Sequence, residues 1–192
     1  MKIALCFPRT IEDLRSLDAP LGISSLGTVL KREMHIVRLF DSSFNKSLNN
    51  MLRGLKEFNP DVVGVSVLSC CLNNAKIVTK FAKKVLNAIT IMGGPHPTVA
   101  LDRLSDFEYV DYLVFGEGEA SLLELINFLE KKHKSIHQIL GIGYKIDGRL
   151  KRNEPRDFIE NLIISLRGAN SAYIKNMSLS LIRQGRNQVK RK

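Results

Sequence analysis

Short apolar runs alternate with helical patterns over the first 130 residues of this 192-residue chain. The run Asp61–Leu68 is dense in β-branched residues and lacks polar alternation, which is typical of a strand buried on both faces. The connections are too long for hairpins, so the pattern predicts a doubly wound, five-stranded parallel sheet with helices on both faces. The expected strands are 3–7, 35–40, 61–68, 88–92 and 110–115, and the expected helices are 20–32, 48–58, 75–85, 99–104 and 119–132.

The polarity of the strands indicates their order in the sheet. Polar residues in His35–Phe40 favour an edge position for the second strand, and the third strand should be central. Asp111 and Tyr112 suggest that the fifth strand lies at the other edge. We therefore expect the order 2-1-3-4-5, in which ligands bind where the carboxyl ends of strands one, three and four meet.

The residues at those three strand ends are candidates for a ligand site. Two adjacent glycines after strand four let the main chain approach a flat or bulky ligand closely. The candidates are Pro8, Arg9 and Thr10 after strand one, Ser66, Leu68 and Ser69 at strand three, and Gly93, Gly94, Pro95 and His96 at strand four.

Several common cofactor sites do not fit the sequence. There is no Gly-x-Gly-x-x-Gly after strand one and no phosphate loop ending in Lys-Ser or Lys-Thr. The glutamates of Gly116-Glu117-Gly118-Glu119 would repel a phosphate. The four histidines show no metal spacing, and the three cysteines form neither a disulfide framework nor a metal motif. With no apolar run long enough to span a membrane, we expect a cytoplasmic protein.

The charge of +10 is concentrated at the end of the chain. Residues 163–192 contain seven basic residues and no acidic one, which leaves only +3 on the first 162 residues. We expect three segments: a main domain at 1–140, a β-hairpin with an Asp147-Gly148 turn and a linker at 141–162, and a poorly ordered basic tail at 163–192. Nucleic acid is disfavoured as a partner, although a polyanion-binding tail remains an alternative.

Taken together, the motifs resemble a known family over residues 1–162. They are Ser66-x-Leu68, Pro20-Leu21-Gly22 at the start of helix one, Gly93-Gly94-Pro95-His96-Pro97-Thr98, and Phe115-Gly116-Glu117-Gly118-Glu119. In this order, they are similar to the amino-terminal cobalamin-binding domain of cobalamin-dependent radical S-adenosylmethionine enzymes, the class that includes the anaerobic magnesium-protoporphyrin ester cyclase.

The resemblance implies how cobalamin would be held. Its nucleotide tail would enter a slot beside the sheet, where Ser66 and Leu68 contact the benzimidazole and Gly93 and Gly94 leave room for it. The corrin would lie across the strand ends, near His96 and the loop from Pro8 to Thr10. The other cofactor-binding residues implied by the resemblance are Leu21, Gly22, Ser69, Pro95, Gly116 and Glu117.

Two departures from the wider family shape the expectation. Asp41–Lys46 carries serine where related loops place a cobalt-ligating histidine, so we expect the tail displaced from cobalt and no histidine ligand. The chain also lacks the Cys-x-x-x-Cys-x-x-Cys loop that holds a four-iron cluster. We expect no catalysis by the chain alone, a separate radical S-adenosylmethionine domain as partner, and either a truncated gene product or a stand-alone carrier.

A flavodoxin-like or receiver-like interaction domain that binds no corrin is the alternative. Receiver domains need acidic residues at the end of strand one, where this chain has Phe7-Pro8-Arg9, with Glu12, Asp13 and Asp18 only further along the loop. A flavin binder would have a hydroxyl-rich phosphate loop at that place.

Overall fold

The computed structural model describes residues 1–9, 20–42, 47–100, 107–131, 135–147 and 149–157. A short helix ends at Val99, and most of the expected helix at 99–104 lies outside the described residues, because they omit 101–106. Thr10 and the basic tail also lie outside them. The strands are β1 (Lys2–Phe7), β2 (Ile36–Asp41), β3 (Val62–Ser66), β4 (Ile89–Gly93), β5 (Tyr112–Val114), β6 (Ile142–Ile146) and β7 (Arg149–Arg152). The helices are α1 (Leu21–Arg32), α2 (Leu48–Phe58), α3 (Leu72–Val85), α4 (Pro95–Val99) and α5 (Gly118–Leu129).

The strands form one sheet in the order β2-β1-β3-β4-β5-β6-β7. The pairs from β2 to β5 are parallel, and β5-β6 and β6-β7 are antiparallel. The expectation of a five-stranded sheet with a hairpin appendage was therefore wrong, because the hairpin β6-β7 continues the sheet. Strand β5 has only three residues, and pairing with β6 satisfies its backbone and buries Ile142 and Tyr144. Strand β5 is consequently not an edge.

Buried side chains lie on both faces of the sheet. Val63 and Val65 pack with α2 and α3 residues such as Leu55 and Val78. The alternate residues, among them Val62 and Ile91, pack with the residues of α1 and α5. This division follows from the two-residue period of a strand, and it places α1 and α5 together on one face.

The segment after β7 is held against α5. The guanidinium of Arg156 donates to the Ser121 hydroxyl (Nε to Oγ 3.1 Å) and lies 2.8 Å from a carboxylate oxygen of Glu124. Strand β7 runs in the same direction as β5, because both are antiparallel to β6. The chain therefore leaves the sheet on the side where the parallel strands have their carboxyl ends.

Asp111 links β4, β5 and α3. One of its carboxylate oxygens accepts from the Thr90 amide at 2.9 Å and from the Thr90 hydroxyl at 2.9 Å, and both oxygens lie within 2.8 Å of Lys83 Nζ. Thr90 is fully buried, and its hydroxyl can also donate to the Tyr109 carbonyl at 2.8 Å. The Thr90 amide therefore depends on the carboxylate more than the hydroxyl does.

We predict that Asp111→Ala lowers the free energy of unfolding by about 1–3 kcal/mol, because it leaves the buried Thr90 amide unpaired and removes the carboxylate that binds Lys83. Chemical denaturation measures the change. Asp111→Asn, which keeps an acceptor oxygen, should lose less, and Asp157→Ala at an exposed position serves as the control. Equal stability of Asp111→Ala and the wild type would contradict the assignment.

Candidate functional site

A cavity of about 200 Å³ opens at the carboxyl ends of the parallel strands, between α1 and α5. Strand β3 pairs with β4 in a register that sets Ser66 beside Gly93, so the two strand ends form the base of the cavity. One water needs roughly 10–15 Å³ by the same kind of measure, so the cavity admits a much larger group. Its lining residues are Leu5, Gly22, Ile23, Leu26, Gly64, Val65, Ser66, Ile91, Gly93, Gly94, Val114, Gly116, Glu117, Gly118, Glu119 and Leu122.

Gly94 makes the tightest backbone approach at the site. A Cβ on Gly94 would lie 2.9 Å from both Ser66 Oγ and the Val67 nitrogen, and the residue has φ of 93°, in the region that favours glycine. Two hydrogen bonds of 2.9 Å hold the turn, one from the Val67 amide to the Gly93 carbonyl and one from the His96 amide to the Val67 carbonyl. The turn therefore needs glycine to bring β4 against the end of β3.

Two other glycines leave the cavity open. A Cβ on Gly22, in the first turn of α1, would meet nothing within 4 Å, and the same holds for Gly116 before α5. The Gly116 amide donates to the Thr98 hydroxyl, which in turn donates to the Gly94 carbonyl. These bonds connect the loop after β5 to the Gly93-Gly94 turn.

Polar side chains are few in the cavity wall. Ser66 is half-buried, and its hydroxyl has no hydrogen-bond partner among the residues that the structure describes. Glu119, in the first turn of α5, accepts a 2.7 Å hydrogen bond from the buried Ser25 hydroxyl of α1. The cavity is thus mainly apolar, with one hydroxyl and two glutamates in its wall, the second being Glu117.

Of the sequence-predicted site residues that the structure describes, six line the cavity and seven do not. The residues that line it are Gly22, Ser66, Gly93, Gly94, Gly116 and Glu117, while Pro8, Arg9, Leu21, Leu68, Ser69, Pro95 and His96 do not. Arg9 is buried, its guanidinium lies over the Phe7 ring at 5.6 Å, and its carbonyl accepts from Asn74.

His96 is a buried element of the loop packing. Only 2% of the residue is exposed, its Nδ1 lies 3.0 Å from Ser69 Oγ, and its ring centre lies 6.1 Å from that of Phe107. The His96 side chain was expected near a corrin rim. In the structure its ring faces protein, because Phe107 and Ser69 cover it. In this structure His96 holds the loop after β4 to the loop after β3.

Sequence reasoning missed the apolar walls and one acid. Leu26, Leu122 and Glu119 line the cavity but were not among the candidate site residues of the sequence. Leu26 approaches Gly118, where an added Cβ would lie 3.3 Å from Leu26 Cδ2. The glycine therefore lets α1 and α5 pack closely beside the cavity, and this contact between distant segments left no local signal in the sequence.

No group of three or more histidine, cysteine or acidic side chains that could hold a metal ion occurs among the described residues. Burial raises the pKa of the Cys6 thiol well above its usual range, which keeps it protonated and unsuited to bind a metal. Within those residues, no helix is long and apolar enough to cross a bilayer.

A family model described as the B12 binding domain matches residues 14–126. The chain belongs to this family. The match covers more than half of the 192 residues, including β2 to β5 and most of α5. This match, together with the relatives and solved structures described next, confirms the resemblance to the cobalamin-binding domain of cobalamin-dependent radical S-adenosylmethionine enzymes.

Two relatives show similarity over most of this B12-binding chain. An uncharacterized methyltransferase of Pyrococcus horikoshii is 31% identical over 169 residues, which is 84% of this chain and 36% of the relative. The anaerobic magnesium-protoporphyrin IX monomethyl ester cyclase of Synechocystis is 29% identical over 148 residues, or 74% of this chain and 30% of the relative. The chain therefore spans about a third of the length of these relatives.

Solved structures share the fold. The cobalamin-dependent S-adenosylmethionine radical enzyme OxsB, with aqua-cobalamin and S-adenosylmethionine bound, matches 82% of this chain and 22% of its own with a TM-score of 0.70 and 21% identity. The radical S-adenosylmethionine methyltransferase TsrM of Kitasatospora setae matches 81% of this chain and 30% of its own with a TM-score of 0.66 and 20% identity.

Gly94 and Gly22 should respond in opposite ways to an added methyl group. We predict that Gly94→Ala loses about 1–3 kcal/mol of stability, because its Cβ meets backbone and its φ is strained for alanine. Gly22→Ala should keep or slightly raise stability, because the position is helical and open. Thermal unfolding of the two variants compares them directly, and a Gly94→Ala variant as stable as Gly22→Ala would contradict the geometry.

Proposed function

We propose that this domain binds cobalamin, with the nucleotide tail in the cavity between α1 and α5 and the corrin across the ends of the parallel strands. The bound cofactor would supply cobalt-centred chemistry on its upper face. The residues of the domain bind and orient the cofactor from below, and they leave the upper face accessible to a catalytic partner.

The observation that carries the proposal is the glycine-walled cavity at the adjacent ends of β3 and β4. The open space at Gly22 and Gly116 gives access to it, and the apolar wall suits a flat aromatic base. The corrin is too large for this cavity and would have to lie outside it.

Ser66 is the residue that we assign to the lower base of the tail. A base displaced from cobalt has a ring nitrogen that accepts a hydrogen bond, and the Ser66 hydroxyl in the cavity wall can donate one. Gly93 and Gly94 set the width of the slot beside it. Leu68 lies two residues after Ser66 and does not line the cavity. We assign it an indirect role, in which it positions the turn at 69–71 beside the cofactor.

The residues expected near the corrin are assigned to shaping its floor. Pro8 and Arg9 are buried in the loop after β1, and His96 and Ser69 connect the loops after β3 and β4 by their hydrogen bond. Leu21, which is 54% exposed, and Pro95 lie at helix starts around the strand ends. We infer that they contact the cofactor only at its periphery.

We also propose that catalysis needs a separate radical S-adenosylmethionine domain. The 192 residues contain no Cys-x-x-x-Cys-x-x-Cys motif to hold a four-iron cluster. The relatives share only about a third of their length with this chain, which supports a division between a cofactor-holding part and a catalytic part.

The wild-type protein, incubated with hydroxocobalamin, should retain the corrin absorbance through gel filtration. Gly22→Phe should weaken hydroxocobalamin binding by about tenfold or more, because the ring occupies open space at the cavity and costs about 1.4 kcal/mol or more of binding energy. Titration followed by absorbance measures the affinity.

Cobinamide, which lacks the nucleotide tail, separates a blocked cavity from a damaged fold. Gly22→Phe should bind cobinamide as the wild type does, and Arg32→Phe at the exposed far end of α1 should bind both corrinoids normally. A Gly22→Phe variant with unchanged affinity for hydroxocobalamin would exclude the cavity as the tail site, and a wild type that retains no corrin would refute cobalamin binding.

We expect no histidine nitrogen on cobalt. Strand β2 ends at Asp41, and residues 41–46 contain no histidine. The buried His96 is already bonded to Ser69. Reduced to the cobalt(II) state in the protein, the cofactor should give an electron paramagnetic resonance spectrum without the splitting that an axial nitrogen produces. Nitrogen splitting would contradict the displaced tail, and free cob(II)alamin at neutral pH provides the nitrogen-bound control.

A further inference from the structure

The polar groups of the cavity wall are unequal in how firmly they are held. Of the cavity-lining residues within the described part of the chain, only Ser66, Glu117 and Glu119 carry polar side chains. Glu119 is fixed by the 2.7 Å hydrogen bond that the Ser25 hydroxyl donates to its Oε1. Ser25 is itself buried, with 3% of the residue exposed. Glu117 precedes α5 without a capping hydrogen bond from its side chain. The carboxylate of Glu119 is thus a preorganised group in an otherwise apolar wall.

A fixed carboxylate restricts what can lie against it. It accepts hydrogen bonds and donates none, and among the described residues its second oxygen has no hydrogen-bond partner. In an apolar wall such an acceptor interacts strongly with a donor and unfavourably with another anion. A ligand group beside Glu119 must therefore be a hydrogen-bond donor.

This restriction orients the nucleotide tail of a cobamide. The tail contains a phosphodiester, which the carboxylate repels, and ribose hydroxyls, which it attracts. Its lower base offers a ring nitrogen to Ser66. Dimethylbenzimidazole has no donor once it is displaced from cobalt, whereas a purine base such as adenine carries an amino group. Two kinds of donor on the nucleotide of a cobamide can therefore satisfy Glu119: a ribose hydroxyl or a purine amino group.

We propose that Glu119, positioned by Ser25, is a specificity residue of the cavity that accepts a hydrogen bond from a donor on the nucleotide tail of a cobamide. The proposal rests on the proposed function, since it assigns a role within the same cavity. It adds a requirement that the cavity shape alone does not impose: the tail must direct a donor toward α5 and its phosphate away from α5.

Glu119→Gln tests the proposal with little change of shape. The glutamine oxygen can still accept from Ser25, so the link between α1 and α5 is kept, while an amide NH2 group, which donates, replaces the second oxygen. We expect this variant to bind a tail that donates to position 119 about tenfold more weakly than the wild type does, as for the loss of a hydrogen bond to a charged group. Affinities are measured by absorbance titration with hydroxocobalamin, an adenine-containing cobamide and cobinamide.

The three ligands distinguish the source of the donor. Weaker binding of both complete cobamides with unchanged cobinamide binding would assign a ribose hydroxyl, and weaker binding of the adenine cobamide alone would assign the purine amino group. Equal affinity of variant and wild type for all three ligands, or an equal loss that includes cobinamide, would overturn the proposal.

Two controls keep this test separate from folding and from the proposed function. The thermal midpoint of Glu119→Gln should match that of the wild type, and Glu57→Gln, at an exposed position on α2, should bind all three ligands normally. If the wild type binds no corrinoid, the proposed function itself fails. If the wild type binds and Glu119→Gln binds equally well, only the role of Glu119 fails.

Discussion

The close approach of Gly94 to the end of β3 is the contact on which the geometry of the cavity depends. The 2.9 Å separations between a Cβ at this position and both Ser66 Oγ and the Val67 nitrogen leave no space for any side chain. The same turn holds His96 by its amide and, through Thr98, the loop that contains Gly116. A single backbone conformation thus sets the relative positions of the ends of β3, β4 and β5.

Local sequence patterns predicted the strands and helices that depend on apolar periodicity and on the positions of glycine and proline. The polarity of the strands predicted that strands three and four are neighbours, and the register of β3 and β4 sets Ser66 beside Gly93. The docking of β6 on β5 could not be read in this way, because a hairpin motif does not specify which sheet edge it will cover. Strand β5 is the last of the parallel strands, so its outer edge is the one that β6 covers.

The walls of the cavity could not be predicted from local sequence patterns either, because they form by contacts between distant segments. Ser25 and Glu119 are 94 positions apart, and their hydrogen bond exists only because α1 and α5 pack on one face of the sheet. The burial of His96 similarly depends on Phe107 and Ser69 from other loops. Residue type and position along a strand therefore identified the floor of the site, whereas its sides arose from contacts between distant segments.

The anchoring of Arg156 to α5 has a consequence for how a domain of this kind could be joined to others. After β7 the backbone continues on the side of the sheet where the parallel strands have their carboxyl ends and the cavity opens. Two α5 side chains, Ser121 and Glu124, bind Arg156 there. A module tethered through this segment would be attached on the side of the domain where the cavity opens. A tether raises the effective concentration of the attached module, so two such modules could meet productively even if their direct affinity were low.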